Sequence, residues 1–184
     1  MKNINVLIAG IGGQGINTLT KMIHVLCEVQ GWHCVSAVYK GGAQRLGSVH
    51  AEIRLFSSEM KDYQNLSSQI IPGTLDLLIG FELWETLRYS QYFHSKTIIL
   101  ADDFEEFPNA KENRSKIFIP VKEQLNSLKL QVIIDDFRKQ SITETNNIKN
   151  TNMLMLKKSI QLGILPLDET QINHFISPLT QNHF

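Results

Sequence analysis

Residues 4–15 read Ile4-Asn5-Val6-Leu7-Ile8-Ala9-Gly10-Ile11-Gly12-Gly13-Gln14-Gly15, and INTLTKMIHVLCEVQG follows over 16–31. The run Ile4–Ala9 is apolar, short and closed by glycines, which predicts a strand buried on both faces. Beyond the glycines, Ile16, Leu19, Ile23, Leu26 and Val29 recur at helical spacing, so a helix is expected over Ile16–Val29, with Gly31 as its stop. A strand, a tight glycine turn and a helix in immediate succession form the opening unit of an open α/β sheet.

The turn satisfies the pattern Gly-x-Gly-x-x-Gly. Gly10, Gly12, Gly13, Gln14 and Gly15 are therefore candidate cofactor-binding residues. Glycine lets backbone N–H groups approach an anion, and the helix presents its positive end to it, so pyrophosphate is the natural guest. A dinucleotide needs an acidic residue about 20 positions on, at the end of the second strand, to hold the ribose. Here that strand ends Val38-Tyr39-Lys40, and Glu28 lies within the helix. Two other readings stay open: another phosphate or nucleotide ligand, or a turn that serves only tight packing.

Cys34–Tyr39 reads as a second strand and Lys40–Gly47 as a loop. In Ser48–Phe56, Val49, Ala51, Ile53 and Leu55 alternate with His50, Glu52 and Arg54, the pattern of a strand with one wetter face. Polar Ser57–Gly73 is a connection. Leu75–Ile79 and Thr97–Ala101 read as buried strands, Leu83–Phe93 as a helix between them, and Asp102–Pro108 as an acidic loop. Short strands are expected at Ile117–Ile119 and Val132–Ile134, and helices at Val121–Leu130, Asn146–Leu162 and Asp168–Ile176. Thr143–Thr151 reads as loop. Asp168 is a candidate N-cap, with Gln171 in the capping-box position. Strands alternating with helices predict a three-layer α/β/α sandwich with a mostly parallel, Rossmann-like sheet. At 184 residues the chain is expected to form one domain over 1–184, given roughly 150 residues per domain.

Composition narrows the function. Eighteen Lys+Arg balance eighteen Asp+Glu, so there is no cationic surplus to neutralise phosphates, and nucleic acid is not an expected partner. A neutral surface also repels its neighbours little, which fits a subunit that awaits a partner. The two cysteines, Cys27 and Cys34, fall short of the set that an iron–sulfur cluster takes and are read as reduced and packed. No apolar stretch reaches the roughly 18 residues of a membrane span, and the first apolar run leads into glycines rather than a cleavage site. A cytoplasmic protein with no membrane association is expected.

A second glycine loop, Gly41-Gly42-Ala43-Gln44-Arg45-Leu46-Gly47-Ser48, follows the second strand. In an open α/β sheet it falls on the same edge as the first loop. Gly41, Gly42, Gln44, Arg45 and Ser48 are candidate substrate or partner contacts. Arg45 has the planar fork suited to a carboxylate, a phosphate or a partner's acid. Of the other polar residues, His50 reads as solvated or interfacial rather than as a base. His24 and His33 have no metal-spaced companion. Asp102, Asp103, Asp135 and Asp136 are read as helix caps or, less commonly, cation ligands.

These residues resemble a known family. GIGGQG before a helix, then GGAQRLGSVHAEIRLF, is similar to the gamma-type domain of the 2-oxoacid:ferredoxin oxidoreductases, nearest to the beta subunit of its indolepyruvate branch. Asp76–Glu82 with Glu85, Leu87 and Arg88, and Asn152–Leu156 with Leu165-Pro166-Leu167 and Glu169, resemble further passages of the same domain. The resemblance implies a subunit of an enzyme that oxidatively decarboxylates a 2-oxoacid to an acyl-CoA. Thiamine diphosphate, iron–sulfur clusters and CoA would serve the whole complex. The AQR form of the second loop favours arylpyruvates. This chain lacks a GDG…NN thiamine signature and cluster cysteines, so the resemblance assigns both to a partner alpha subunit, with ferredoxin reached indirectly. No cofactor would be bound by this chain alone, and none of its residues would be catalytic. Leu46 replaces a glycine common in the family, and Gln131–Asn150 is longer than the usual connection. The competing readings are a stand-alone nucleotide- or CoA-binding domain and an assembly or regulatory paralogue.

Overall fold

The computed structural model describes residues 3–42, 47–106 and 119–172. Six strands form one sheet: β1 (Asn3–Ile11), β2 (His33–Lys40), β3 (Ser48–Phe56), β4 (Leu77–Gly80), β5 (Ile98–Asp102) and β6 (Gln131–Asp135), in the order β2-β3-β1-β4-β5-β6. β4, β5 and β6 extend from β1 in parallel. β3 pairs antiparallel with both β1 and β2, so five strands share one direction and β3 opposes them. The α/β sandwich is as predicted. The antiparallel insertion is an addition to it: β2 and β3 form a hairpin that slots β3 between β2 and β1.

Both faces of β1 are covered. Ile4, Val6 and Ile8 pack with α1 (Ile16–Val29) and α5 (Thr151–Gln161), together with Leu19, Ile23, Leu26, Met155 and Leu156. Leu7 and Ala9 face the opposite layer of α2 (Leu83–Arg88) and α3 (Val121–Ser127), with Leu83, Val121 and Leu125. This is why the strand reads as continuously apolar. β3 is different: Ala51, Ile53 and Leu55 join the first core, whereas His50, Glu52 and Arg54 alternate with them. That second face is drier at Glu52 than its sequence implies. Glu52 is buried, because the connection after β3 folds over it and Ile70 N–H donates to its Oε2 at 2.5 Å.

Several boundaries differ from the sequence reading. Leu83–Phe93 is α2 followed by a 3-10 turn at Ser90–Tyr92. The helix expected over Val121–Leu130 stops at Ser127. α4 (Phe137–Thr145) was not expected, and it fills much of the long Gln131–Asn150 segment. It buries only Phe137 and Ser141, so it carries almost no apolar periodicity. Its legible signal is Asp136, whose side chain accepts Lys139 N–H at 2.9 Å. Asn146, at φ 53°, ends α4, so the helix expected over Asn146–Leu162 begins only at Thr151. Asp168 caps a 3-10 turn at Glu169–Gln171 by accepting Thr170 N–H. The capping box does not close there. Asp168 N–H donates instead to Gln30 Oε1 at 2.6 Å, and Gln30 Nε2 donates back to Asp168 O at 3.1 Å. The expected strand at Ile117–Ile119 lies, but for Ile119, outside the described residues.

Candidate functional site

The sheet topology brings the two glycine loops to one edge. β1 ends at Ile11 opposite Ser48, and β2 ends at Lys40 opposite Val49. The loops are then tied together: Gly12 N–H donates to Gly47 O at 2.9 Å, and Gly41 N–H donates to Ser48 O at 2.7 Å. Gly12 and Gly13 are exposed, as are Gly41 and Gly42. Gln44 and Arg45 lie outside the described residues.

Within the first turn, Gln14 folds back over Gly10. Its Oε1 accepts Ile11 N–H at 2.8 Å, and its Nε2 donates to Phe81 O at 3.0 Å. A Cβ at Gly10 would collide with that amide and come to 3.0 Å from Phe81 Cβ. Gly15 caps α1 at φ 80°, and a Cβ there would run into the Asn152 amide, which donates from Nδ2 to Gly15 O at 3.1 Å. Glycine thus leaves room for the Gln14 amide at Gly10, and at Gly15 it serves both a positive φ and the Asn152 amide. One N–H expected to face an anion, that of Gly12, is engaged by Gly47. Truncating Gln14 to alanine removes both of its bonds and leaves Ile11 N–H without its partner. We expect a loss of about 1–2 kcal/mol, read by urea denaturation.

Phe81 O, at the end of β4, also accepts from Arg138 Nη2 at 3.2 Å. Arg138, on α4, faces Asp102 at the end of β5. Its Nε lies 2.6 Å from Asp102 Oδ2, a charge contact off the hydrogen-bond axis, and its backbone N–H donates to Oδ1 at 3.3 Å. The guanidinium carbon stands 3.4 Å from the centroid of Phe104. Burial raises the Asp102 pKa above the usual carboxylate value, against the pull of Arg138. Asp102 therefore anchors α4 through its ion pair. Asp103 pairs with Lys122, Asp135 accepts Asp136 N–H, and Asp136 caps α4. Each of the four aspartates is accounted for by an intramolecular contact.

A second set of polar side chains lies beside the rim. Ser48 Oγ donates to Glu85 Oε2 at 2.6 Å, and Glu85 is forked by Arg88 through Nε at 2.9 Å and Nη2 at 3.0 Å. His50 Nδ1 lies 2.8 Å from Tyr89 Oη, and its ring stacks on Tyr39. Burial lowers the His50 pKa, opposed by Glu52 and Glu85, and burial raises that of Tyr89. Glu82 caps α2 by accepting Glu85 N–H at 2.6 Å, and burial raises its pKa. His24 bonds Ser36 Oγ at 2.7 Å, and His33 stacks on Tyr63. The contact with Cys27, and then burial, push the Cys34 thiol up, which keeps it protonated and a poor ligand. Among the described residues no three His, Cys, Asp or Glu side chains are grouped to hold a metal, and no helix is long and apolar enough to cross a membrane.

Asn152 and Glu85 stand in the sequence only as parts of family-like passages, with no site role, and Arg138 and Tyr89 carry no site signal there at all. Each acts across the fold on a loop distant in sequence, so local spacing carries no sign of the pairing.

Comparison with known proteins shows the family. Residues 5–181 match the sequence family described as pyruvate ferredoxin/flavodoxin oxidoreductase. The chain belongs to that family and is of the class of subunits that build 2-oxoacid:ferredoxin oxidoreductases. Among its relatives, the indolepyruvate oxidoreductase subunit IorB of Thermococcus kodakarensis is 26% identical over 191 residues, covering 96% of this chain and 86% of the relative. The IorB subunit of Archaeoglobus fulgidus is 31% identical over 98 residues, covering 53% of this chain and 45% of the relative. Among solved structures, the pyruvate oxidoreductase subunit PORC of Thermotoga maritima superposes with a TM-score of 0.68 at 16% identity, covering 97% of this chain and 86% of that one. The 2-oxoglutarate:ferredoxin oxidoreductase of Magnetococcus marinus, with 2-oxoglutarate, coenzyme A and succinyl-CoA bound, gives a TM-score of 0.67 at 16% identity. It covers all of this chain and is matched over 28% of its own.

Proposed function

We propose that the whole chain is one gamma-type domain, acting in the cytoplasm as the small subunit of a thiamine-diphosphate-dependent, ferredoxin-linked 2-oxoacid oxidoreductase. Its substrate class is arylpyruvate, with indolepyruvate the first to test, and the product is the acyl-CoA. The observation that carries this reading is the exposed rim of Gly12, Gly13, Gly41 and Gly42, joined through Gly12 and Gly47, in a chain of this family. The rim is where a larger subunit docks. Gly41, Gly42, Gln44, Arg45 and Ser48 are its contact residues, and Gly10, Gly12, Gly13, Gln14 and Gly15 shape the face on which CoA is held between subunits.

The chain's own residues do not fit an iron–sulfur cluster. Its two cysteines are too few, and Cys34 is held protonated. Electron transfer is therefore assigned to clusters on the partner, together with thiamine diphosphate, and no redox step runs through this chain. What this chain supplies is a held edge: Asn152 of α5 bonds the first glycine turn at Gly15, and Gln14 of that turn and Arg138 of α4 meet on Phe81 O. Co-expression with a thiamine-diphosphate- and cluster-bearing large subunit of the same enzyme class is expected to give a stable complex that oxidises indolepyruvate in the presence of CoA and ferredoxin. Either chain alone is expected to be inactive. Full activity of the large subunit without this chain overturns the reading.

A further inference from the structure

Beside the rim, polar side chains run in an unbroken line from a buried carboxylate to the start of β3. Glu52 Oε1 stands 3.7 Å from His50 Nε2, and His50 Nδ1 stands 2.8 Å from Tyr89 Oη. Tyr89 Oη stands 3.4 Å from Ser48 Oγ, and Ser48 Oγ stands 2.6 Å from Glu85 Oε2. The groups facing His50 are Tyr39 from β2, Glu52 from its own strand, Glu85 from α2, paired to Arg88, and Tyr89 at the C-terminal cap of α2.

The chemistry of the two ends fixes which way each hydrogen bond runs. A carboxylate only accepts, so Ser48 donates its proton to Glu85 and can only accept from Tyr89. Neutral His50 places its N–H on Nε2, toward Glu52, because a lone pair there would face a carboxylate. Its Nδ1 then accepts the Tyr89 hydroxyl proton. Once His50 gains a proton from solvent, through the fifth of its side chain that is exposed, Nδ1 becomes a donor. Tyr89 Oη now accepts from it, and among the described residues the acceptor left in line with the Tyr89 proton is Ser48 Oγ at 3.4 Å. Ser48 O holds Gly41 N–H, and the neighbouring Gly47 O holds Gly12 N–H.

We propose that Glu52, His50, Tyr89 and Ser48 form a proton-linked latch on the glycine rim: protonating His50 turns the Tyr89 hydroxyl from His50 to Ser48 and tightens the strand end from which both loops are held. The consequence for the complex, that a partner binds the latched rim more firmly as protons are supplied, rests on the subunit role proposed above; the latch itself does not. Burial places the protonation below the ordinary histidine range, so the latch is open at neutral pH and closes on acidification.

The test uses the full chain labelled with nitrogen-15. At neutral pH the His50 ring is expected as the Nε2–H tautomer, with a protonation midpoint below about 6.5. Over that titration the amide protection factors of Gly12 and Gly41 should rise about five-fold, the scale of one added hydrogen bond. Tyr89→Phe should hold both at the low value at every pH. His50→Phe keeps a ring against Tyr39 and frees the Tyr89 proton for Ser48, so it should hold both at the high value. An Nδ1–H tautomer at neutral pH, or a rise that survives in both variants, overturns the latch. Affinity for the large subunit, measured over the same pH range, tests the consequence separately. An affinity that does not follow His50 overturns the link to docking, and an absence of any binding overturns the subunit reading while the amide data still judge the latch.

Discussion

Replacing Gly15 by alanine is expected to cost about 3 kcal/mol of stability, the sum of a left-handed backbone conformation forced on an L-residue and an overpacked contact. Gly15 sits at φ 80°, and its missing Cβ leaves the place that the Asn152 amide fills. The two terms separate in a double-mutant cycle. Asn152→Ala alone loses the bond to Gly15 O and should cost about 1 kcal/mol. In the Gly15→Ala background it removes the collision, so the double variant should be more stable than the sum of the single losses, with only the conformational part remaining. Urea denaturation of the four proteins reads this directly. Strict additivity would mean that α5 does not pack on the glycine turn as described.

The second large effect is at Arg138. Its replacement by methionine keeps the side-chain volume but leaves Asp102, which is 1% exposed, without its cation. Breaking one side of a buried pair costs about 3 kcal/mol at neutral pH. The sign of the pH dependence follows from Asp102. Burial already raises its folded-state pKa above the unfolded value, so its contribution is most favourable below the unfolded pKa and is lost as pH rises through the folded one. Without Arg138 the folded pKa rises further. The penalty should therefore be largest at neutral pH and shrink on acidification toward the carboxylate range, as Asp102 takes up a proton. Unfolding free energies of Arg138→Met and the parent chain at two pH values test this. A penalty that grows with acid would contradict it.

The parts of this fold that sequence exposes are those where local pattern and burial coincide. Ile4–Ala9 is apolar throughout because both its faces meet helices, and α1 shows helical spacing because one face alone is buried. The same logic placed β3 but misjudged its polar face at Glu52, because the covering segment around Ile70 is distant in sequence. α4 was illegible for the opposite reason: it buries two residues and has almost no apolar stripe, so only the cap at Asp136 marks it. At the candidate site, the glycines and the shared sheet edge could be read from the motif and strand order. What the glycines are for could not. Gly10 and Gly15 make room for Gln14 and Asn152, and that is a tertiary fact.

The proposed role as the small subunit of a larger 2-oxoacid oxidoreductase is open to direct measurement. The measurement closest to it is affinity purification of the tagged chain from its native cells under anaerobic conditions, with protein, thiamine diphosphate and iron quantified in the eluate and ferredoxin reduction assayed with indolepyruvate and CoA. The expected result is a fixed ratio of this chain to one large subunit, thiamine diphosphate and iron recovered with that subunit, and CoA-dependent reduction of ferredoxin. Recovery of the chain by itself, or with a partner that carries neither thiamine diphosphate nor iron, would contradict it.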